Sequence, residues 1–119
     1  SARDFKGSGV AYANEIKTDV VGVKKDTLLR HGAVSGQTVK EMAEGIRKKY
    51  ITDYSISVSG IAGPDGGSDE KPVGTTWIAV AGPDKTLVRK FVFGKNRERN
   101  IRLAAVTALN MCRKLIAGI

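Results

Sequence analysis

Between a stretch of two-residue alternation and a run of β-branched residues, this chain places five glycines and two prolines within the sixteen residues Ser59 to Gly74. Neither a helix interior nor a strand tolerates that density, because glycine adds backbone entropy to be lost and proline removes a donor. The segment is therefore a long loop with strands at both ends. Before it, Tyr54-Ser-Ile-Ser-Val-Ser59 alternates polar and apolar with the period of a strand. After it, Val73 to Ala81 and Thr86 to Phe93 are rich in β-branched and aromatic residues, and Gly82-Pro-Asp-Lys85 between them is turn chemistry. These two runs are expected to pair as an antiparallel hairpin.

Upstream, Phe5 to Tyr12 reads as a strand in which Gly7 and Gly9 mark a close approach of backbone or ligand. Asn14 then caps a short helix that Gly22 ends, and a brief helical turn from Asp26 to Arg30 stops at Gly32. Ser35 caps a longer helix whose Val39, Met42, Ala43, Ile46 and Tyr50 form one buried stripe, with Lys40, Glu44, Arg47 and Lys48 facing water. A final helix of about five turns carries Ile101, Ala105, Ala108, Leu109, Cys112, Leu115 and Ile116 on one face, the face expected to cover the sheet. Helix and strand patterns alternate and then give way to a hairpin. That order predicts a layered α/β fold with a mixed sheet and helices on its faces. The 119 residues suit one domain, 1–119.

Charge narrows the partners. Twenty Lys and Arg against twelve Asp and Glu leave +8, which suits a phosphate-bearing ligand, a nucleic acid or an acidic partner. No recognition-helix pattern or aromatic-studded basic strand favours nucleic acid. No apolar run approaches the roughly 20 residues that span a bilayer, so no membrane partner is expected. A single cysteine, Cys112, cannot form an internal disulfide, and a reducing cytoplasm is the expected location. Ser1 to Phe5 run at once into an extended pattern without an initiator Met, which suggests an upstream piece has been removed.

Chemistry could reside in three places. The glycines permit main-chain N–H groups to turn together toward an anion or a carbonyl oxygen. Because a strand and not a helix follows them, neither a Walker loop nor a dinucleotide fingerprint fits. A long ordered turn is the bland alternative. At the start of the last helix, Lys95, Arg97, Arg99 and Arg102 stand where the helix dipole is already positive, an arrangement that a bound phosphate would relieve and that a salt-screened surface would tolerate. Tyr12-Ala-Asn-Glu-Ile-Lys17 could present a phenol and an amine together. His31 is the one histidine, and Asp65, Asp69 and Glu70 lack calcium-site spacing, so no metal is expected.

The order Phe5-Lys-Gly-Ser-Gly-Val-Ala-Tyr12, Asn14, Lys17, His31-Gly-Ala-Val-Ser35, Ser59-Gly-Ile-Ala-Gly-Pro64, Gly66-Gly67, Lys71-Pro-Val-Gly74, then Arg97 and Arg102, resembles the CinA carboxy-terminal domain nearly end to end. The resemblance implies a three-layer α/β/α sandwich and hydrolysis of the carboxamide of nicotinamide mononucleotide to nicotinate mononucleotide and ammonia, with no metal or cofactor. In that family a serine attacks the amide and a lysine is its general base. Lys17 matches the lysine, Tyr12 a tyrosine beside it, and Ser59 a hydroxyl position before the loop. Gly60, Gly63, Gly66, Gly67 and Lys71 match the binding loop, and either Arg97 or Arg102 matches an arginine near the substrate. The family's nucleophile lies in a Glu-Ser-Cys-Thr-Gly-Gly segment that these 119 residues do not contain. Ser8 stands where the family commonly has glycine, and Ser59 where it often has threonine. The resemblance therefore implies an amidase that is inactive in this form. The alternatives are a noncatalytic nucleotide-binding module and a competence or DNA-damage associated one, and a homo-oligomer is expected if a missing element leaves apolar surface bare.

Overall fold

In the computed structural model, which describes residues 10–12 and 22–119, the strand expected at Tyr54–Ser59 is present and covered on both faces. Strand β1 is Val10–Tyr12, β2 is Ser55–Gly60, β3 is Thr75–Ala81 and β4 is Thr86–Val92, in spatial order β1-β2-β3-β4. The β1–β2 pair is parallel, and the other two pairs are antiparallel. A parallel pair needs a crossover, and helices α1 (Lys25–His31) and α2 (Gly36–Lys49) lie within it. Helix α3 (Arg97–Ala117) follows the hairpin. The expected helix from Asn14 up to Gly22, itself described, the residues Phe5 to Gly9 of the expected first strand, and Lys17 lie outside the described residues.

Each face of β2 finds a different cover. Ile56 and Val58 pack with Ile78 and Val80 of β3 and with Ala104, Ala108 and Met111 of α3. Ser55 and Ser57 sit opposite Ala81 and Ala79 in register, and this face of small side chains lies beneath Val39 and Ala43 of α2. Small residues let the helix approach the sheet closely, and the serines' polarity is met by backbone. The Ser55 hydroxyl donates to the Ala43 carbonyl, and the Ser59 hydroxyl to the Ala33 carbonyl at 2.7 Å. The layers are thus α2, sheet and α3, the three-layer α/β/α arrangement with a mixed sheet.

The caps explain the helix limits. Ser35 accepts from the Thr38 N–H at 3.2 Å, and Gly32, at φ 77°, ends α1. Helix α1 has no side-chain cap of its own. Instead Glu41 of α2 accepts from the Lys24 N–H at 2.8 Å and the Thr27 hydroxyl at 2.5 Å, tying the two helices together.

Three expectations are corrected. Tyr50 is 63% exposed, because α2 ends at Lys49 and its capping residue turns off the buried stripe. Glu44 and Arg47 are half-buried, accepting from the Thr86 hydroxyl at 2.7 Å and donating to the Asp53 carbonyl at 3.1 Å. On α3 the sheet-facing residues are Asn100, Ala104, Ala108 and Met111, while Ile101, Leu109 and Ile116 are exposed. The apolar arc of this helix is wider than the sheet it covers. Among the described residues no helix is long and apolar enough to cross a membrane.

Candidate functional site at the carboxyl ends of the parallel strands

Parallel register brings Tyr12, the last residue of β1, beside Val58, one residue before Ser59 and two before the glycine loop leaves the sheet. In open α/β sheets ligands collect outside the carboxyl ends of such strands. The starts of α2 and α3 come to the same end, shown by the Ser59 bond to Ala33 and an Arg97 bond to the loop. Lys17 follows β1 by five residues in sequence and lies outside the described residues.

The loop is closed at its neck and pinned along its length. Ile61 N–H donates to the Thr75 carbonyl at 2.9 Å, and Gly74 N–H donates back to the Ile61 carbonyl at 2.7 Å. Farther out, Ser68 N–H donates to the Lys71 carbonyl at 2.9 Å and the Ser68 hydroxyl accepts from Lys71 N–H at 3.1 Å, forming a tight local turn. Gly63 combines φ of 94° with a space in which any Cβ would stand 2.6 Å from Val73 Cγ1, so only glycine fits. Gly67 is excluded from substitution by approach alone, with Val73 N at 2.6 Å from a would-be Cβ. Gly60 ends β2 opposite Thr76, and Gly66 lies on the exposed outer part of the loop.

Three side chains hold this loop to the rest of the molecule. Lys71 Nζ donates to the His31 carbonyl at 2.8 Å, joining the loop to the end of α1. Arg97 Nη1 donates to the Gly63 carbonyl at 3.2 Å. Asn100, 3% exposed, donates through Nδ2 to the Ala62 carbonyl at 2.9 Å and the Gly94 carbonyl at 2.8 Å, and accepts from Gly94 N–H at 3.1 Å. One amide thereby fixes the loop against the turn that leads into α3.

Of the two arginines held open by sequence, Arg97 is the one that touches the loop. Arg102 follows by five residues, about 140° round the helix, and is exposed. The guanidinium of Arg97 has five N–H donors, so a carbonyl at one of them leaves a fork for an anion. Ser59 is 1% exposed, and its hydroxyl donates to the Ala33 carbonyl. His31 takes part through its carbonyl. Cys112 is half-buried beside the core under α3, and burial pushes its thiol above the ordinary cysteine value. A raised thiol pKa opposes the thiolate, so this residue is packing and not a nucleophile.

Sequence reading missed Asn100 and Glu41. A polar residue one turn before the apolar run of α3 was the available signal for Asn100. Glu41 carried none, since its partners are 14 and 17 residues away.

The family model of the CinA C-terminal domain matches residues 1–116. The chain belongs to the CinA C-terminal domain family. It is 50% identical over 110 residues to a CinA-like protein of Cytophaga hutchinsonii, covering 92% of this chain and 26% of that protein. A CinA-like protein of Desulforapulum autotrophicum is 49% identical over 115 residues, covering 96% and 27% respectively. Among solved structures, the competence/damage inducible protein CihA of Agrobacterium tumefaciens superposes with a TM-score of 0.78 at 42% identity, covering 88% of this chain and 63% of that one. A CinA superfamily protein of Escherichia coli gives 0.80 at 31%, covering 87% and 60%. This CinA domain thus spans about a quarter of the curated relatives and under two thirds of the solved chains.

Proposed function

We propose that these 119 residues are the substrate-binding part of an amidase that acts on nicotinamide mononucleotide, releasing ammonia and leaving nicotinate mononucleotide. The observation that carries this reading is the convergence of Tyr12, Ser59, the pinned glycine loop and Arg97 at one end of the sheet. The chemistry follows from the residue types. A neutral Lys17 amine would take the proton of a serine hydroxyl as that oxygen bonds to the carboxamide carbon, and would return it to the departing nitrogen. Water, deprotonated by the same amine, would then hydrolyse the acyl-enzyme. The loop's N–H groups would meet the oxyanion, and Arg97 the phosphate.

The serine of the Glu-Ser-Cys-Thr-Gly-Gly motif is not within these 119 residues. Removing one member of an interdependent catalytic set costs up to about 10⁶-fold in a serine hydrolase. The chain is therefore expected to bind nicotinamide mononucleotide without turning it over. Calorimetry would measure binding, and ammonia release would measure hydrolysis, each with Lys17→Ala and Arg97→Ala variants. Binding that weakens in Arg97→Ala, with no ammonia, is the expected result. Lys17-dependent ammonia release at the correct intact mass would overturn the missing-nucleophile reading, and absence of binding would overturn the site.

The missing motif equally favours a second reading, a noncatalytic module that binds the nucleotide and stops there. Relatives also carry the name competence/damage inducible protein, which suggests a competence or damage-associated role. DNA affinity that falls steeply with salt would be the signature of such a role.

A further inference from the structure

By resemblance Lys71 belongs to the binding loop, yet its ammonium is turned to the protein itself. Lys71 Nζ reaches the carbonyl of His31, 40 residues back, and stands 3.2 Å from where a Cβ on Gly32 would lie. Asp69 and Glu70 precede it in the chain, but among the described residues no carboxylate pairs with it. Its other polar groups close on Ser68, the N–H on the hydroxyl at 3.1 Å and the carbonyl on the N–H at 2.9 Å. A cation on the last carbonyl of a helix is favourable in charge, and a charge-assisted bond is stronger than a neutral one.

The turn that receives this lysine, His31-Gly-Ala33, is part of the resemblance that the proposed reaction leaves unused. Its three successive carbonyls take side-chain donors from three different places. His31 accepts from Lys71, near the end of the glycine loop. Gly32 accepts at the start of α2, from the Thr38 hydroxyl at 2.7 Å and the Ser35 hydroxyl at 3.1 Å. Ala33 accepts from Ser59, where β2 gives way to the loop. Both ends of the loop are thereby set against one short turn, while Asn100 and Arg97 hold Ala62 and Gly63 between them.

We infer that Lys71 is a positioning residue, which straps the glycine loop to the His31–Ala33 turn and acts on a ligand through the loop's N–H groups, without touching the phosphate. Ordering the loop before the ligand arrives removes that cost from binding. The affinity consequence rests on reading the site as one for nicotinamide mononucleotide, whereas the strap itself does not.

The test pairs Lys71→Met, which keeps a long stem and loses the charge and the donors, with Lys71→Arg, which keeps both. In the free 119-residue chain, amide exchange at positions 68 and 71 should be about tenfold faster in Lys71→Met, with Ile78 unchanged and Lys71→Arg restoring the parent rates. Calorimetry then compares nicotinamide mononucleotide with nicotinamide riboside, which lacks the phosphate. Lys71→Met should weaken both by the same factor, about fivefold, whereas Arg97→Ala should weaken the mononucleotide alone. A Lys71→Met penalty confined to the mononucleotide would make Lys71 a phosphate ligand and overturn the inference. Unchanged exchange at positions 68 and 71, acceleration that extends to Ile78, or acceleration that Lys71→Arg does not repair would overturn it equally. If the parent chain binds neither ligand, the proposed function falls and the exchange rates alone decide the strap.

Discussion

Ser55, Ser57 and Ser59 show how three like residues on one strand acquire different energetics. Ser55 and Ser59 each donate to a backbone carbonyl, whereas the Ser57 hydroxyl is fully buried with no hydrogen-bond partner among the described residues. A buried hydroxyl without a partner costs about 1–3 kcal/mol of desolvation, whereas a satisfied one contributes about 1 kcal/mol. Ser57→Ala should therefore raise stability by about 1 kcal/mol, and Ser55→Ala should lower it by a similar amount. Urea unfolding of both single variants checks this, and equal destabilisation would mean that Ser57 holds a partner after all. The alternation predicted the strand because period is a backbone property. It carried no word of what covers the serine face, because α2 arrives from elsewhere in the chain. Arg97 shows the same limit. Sequence placed it at a helix start among four cations, but only the folded loop distinguishes it from Arg102 by offering the Gly63 carbonyl.

At the scale of elements, the glycine loop depends on a clamp more than on its own turns. Asn100 satisfies two carbonyls and one N–H across the loop and the β4–α3 turn. Asn100→Ala would leave three backbone groups to find water or remain unpaired, for a loss of about 2–4 kcal/mol. The loss should be local. Amide exchange at Ile61 and Gly74, the loop neck, should accelerate far more than at Ile78 in the middle of β3. A uniform acceleration would show that Asn100 supports the whole core instead. The hairpin, the loop and the caps at Ser35 and Gly32 were legible because turn and cap chemistry is local. The clamp was not, because its two carbonyls belong to residues 6 and 38 positions away. The face of α3 was shifted for a related reason. Periodicity reports every apolar position on a helix, and this helix has an apolar flank that the sheet does not use.

At the scale of the molecule, the +8 charge sets a background of self-repulsion on a small surface. The ion pair of Arg30 with Asp26 is exposed and local, a kind that contributes little against it. Raising sodium chloride from low to physiological strength should therefore raise the melting temperature, by an amount on the order of 4 °C if about 1 kcal/mol of repulsion is screened. A fall would mean that the charges attract on balance. Phosphate at equal ionic strength separates screening from a site. Screening treats both salts alike, whereas a site adds a stabilisation that grows with ligand over its dissociation constant. Phosphate also favours compact states by exclusion from the surface, so an increment in the parent chain alone decides nothing. The discriminating quantity is the difference between the parent and Arg97→Ala. Exclusion is blind to one exposed guanidinium, while a site built on it is not. An increment that disappears in Arg97→Ala and persists in Arg102→Ala places the anion at the loop, where α3 begins and the parallel strands end. An increment that survives both changes leaves the cations at the start of α3 as a solvated surface.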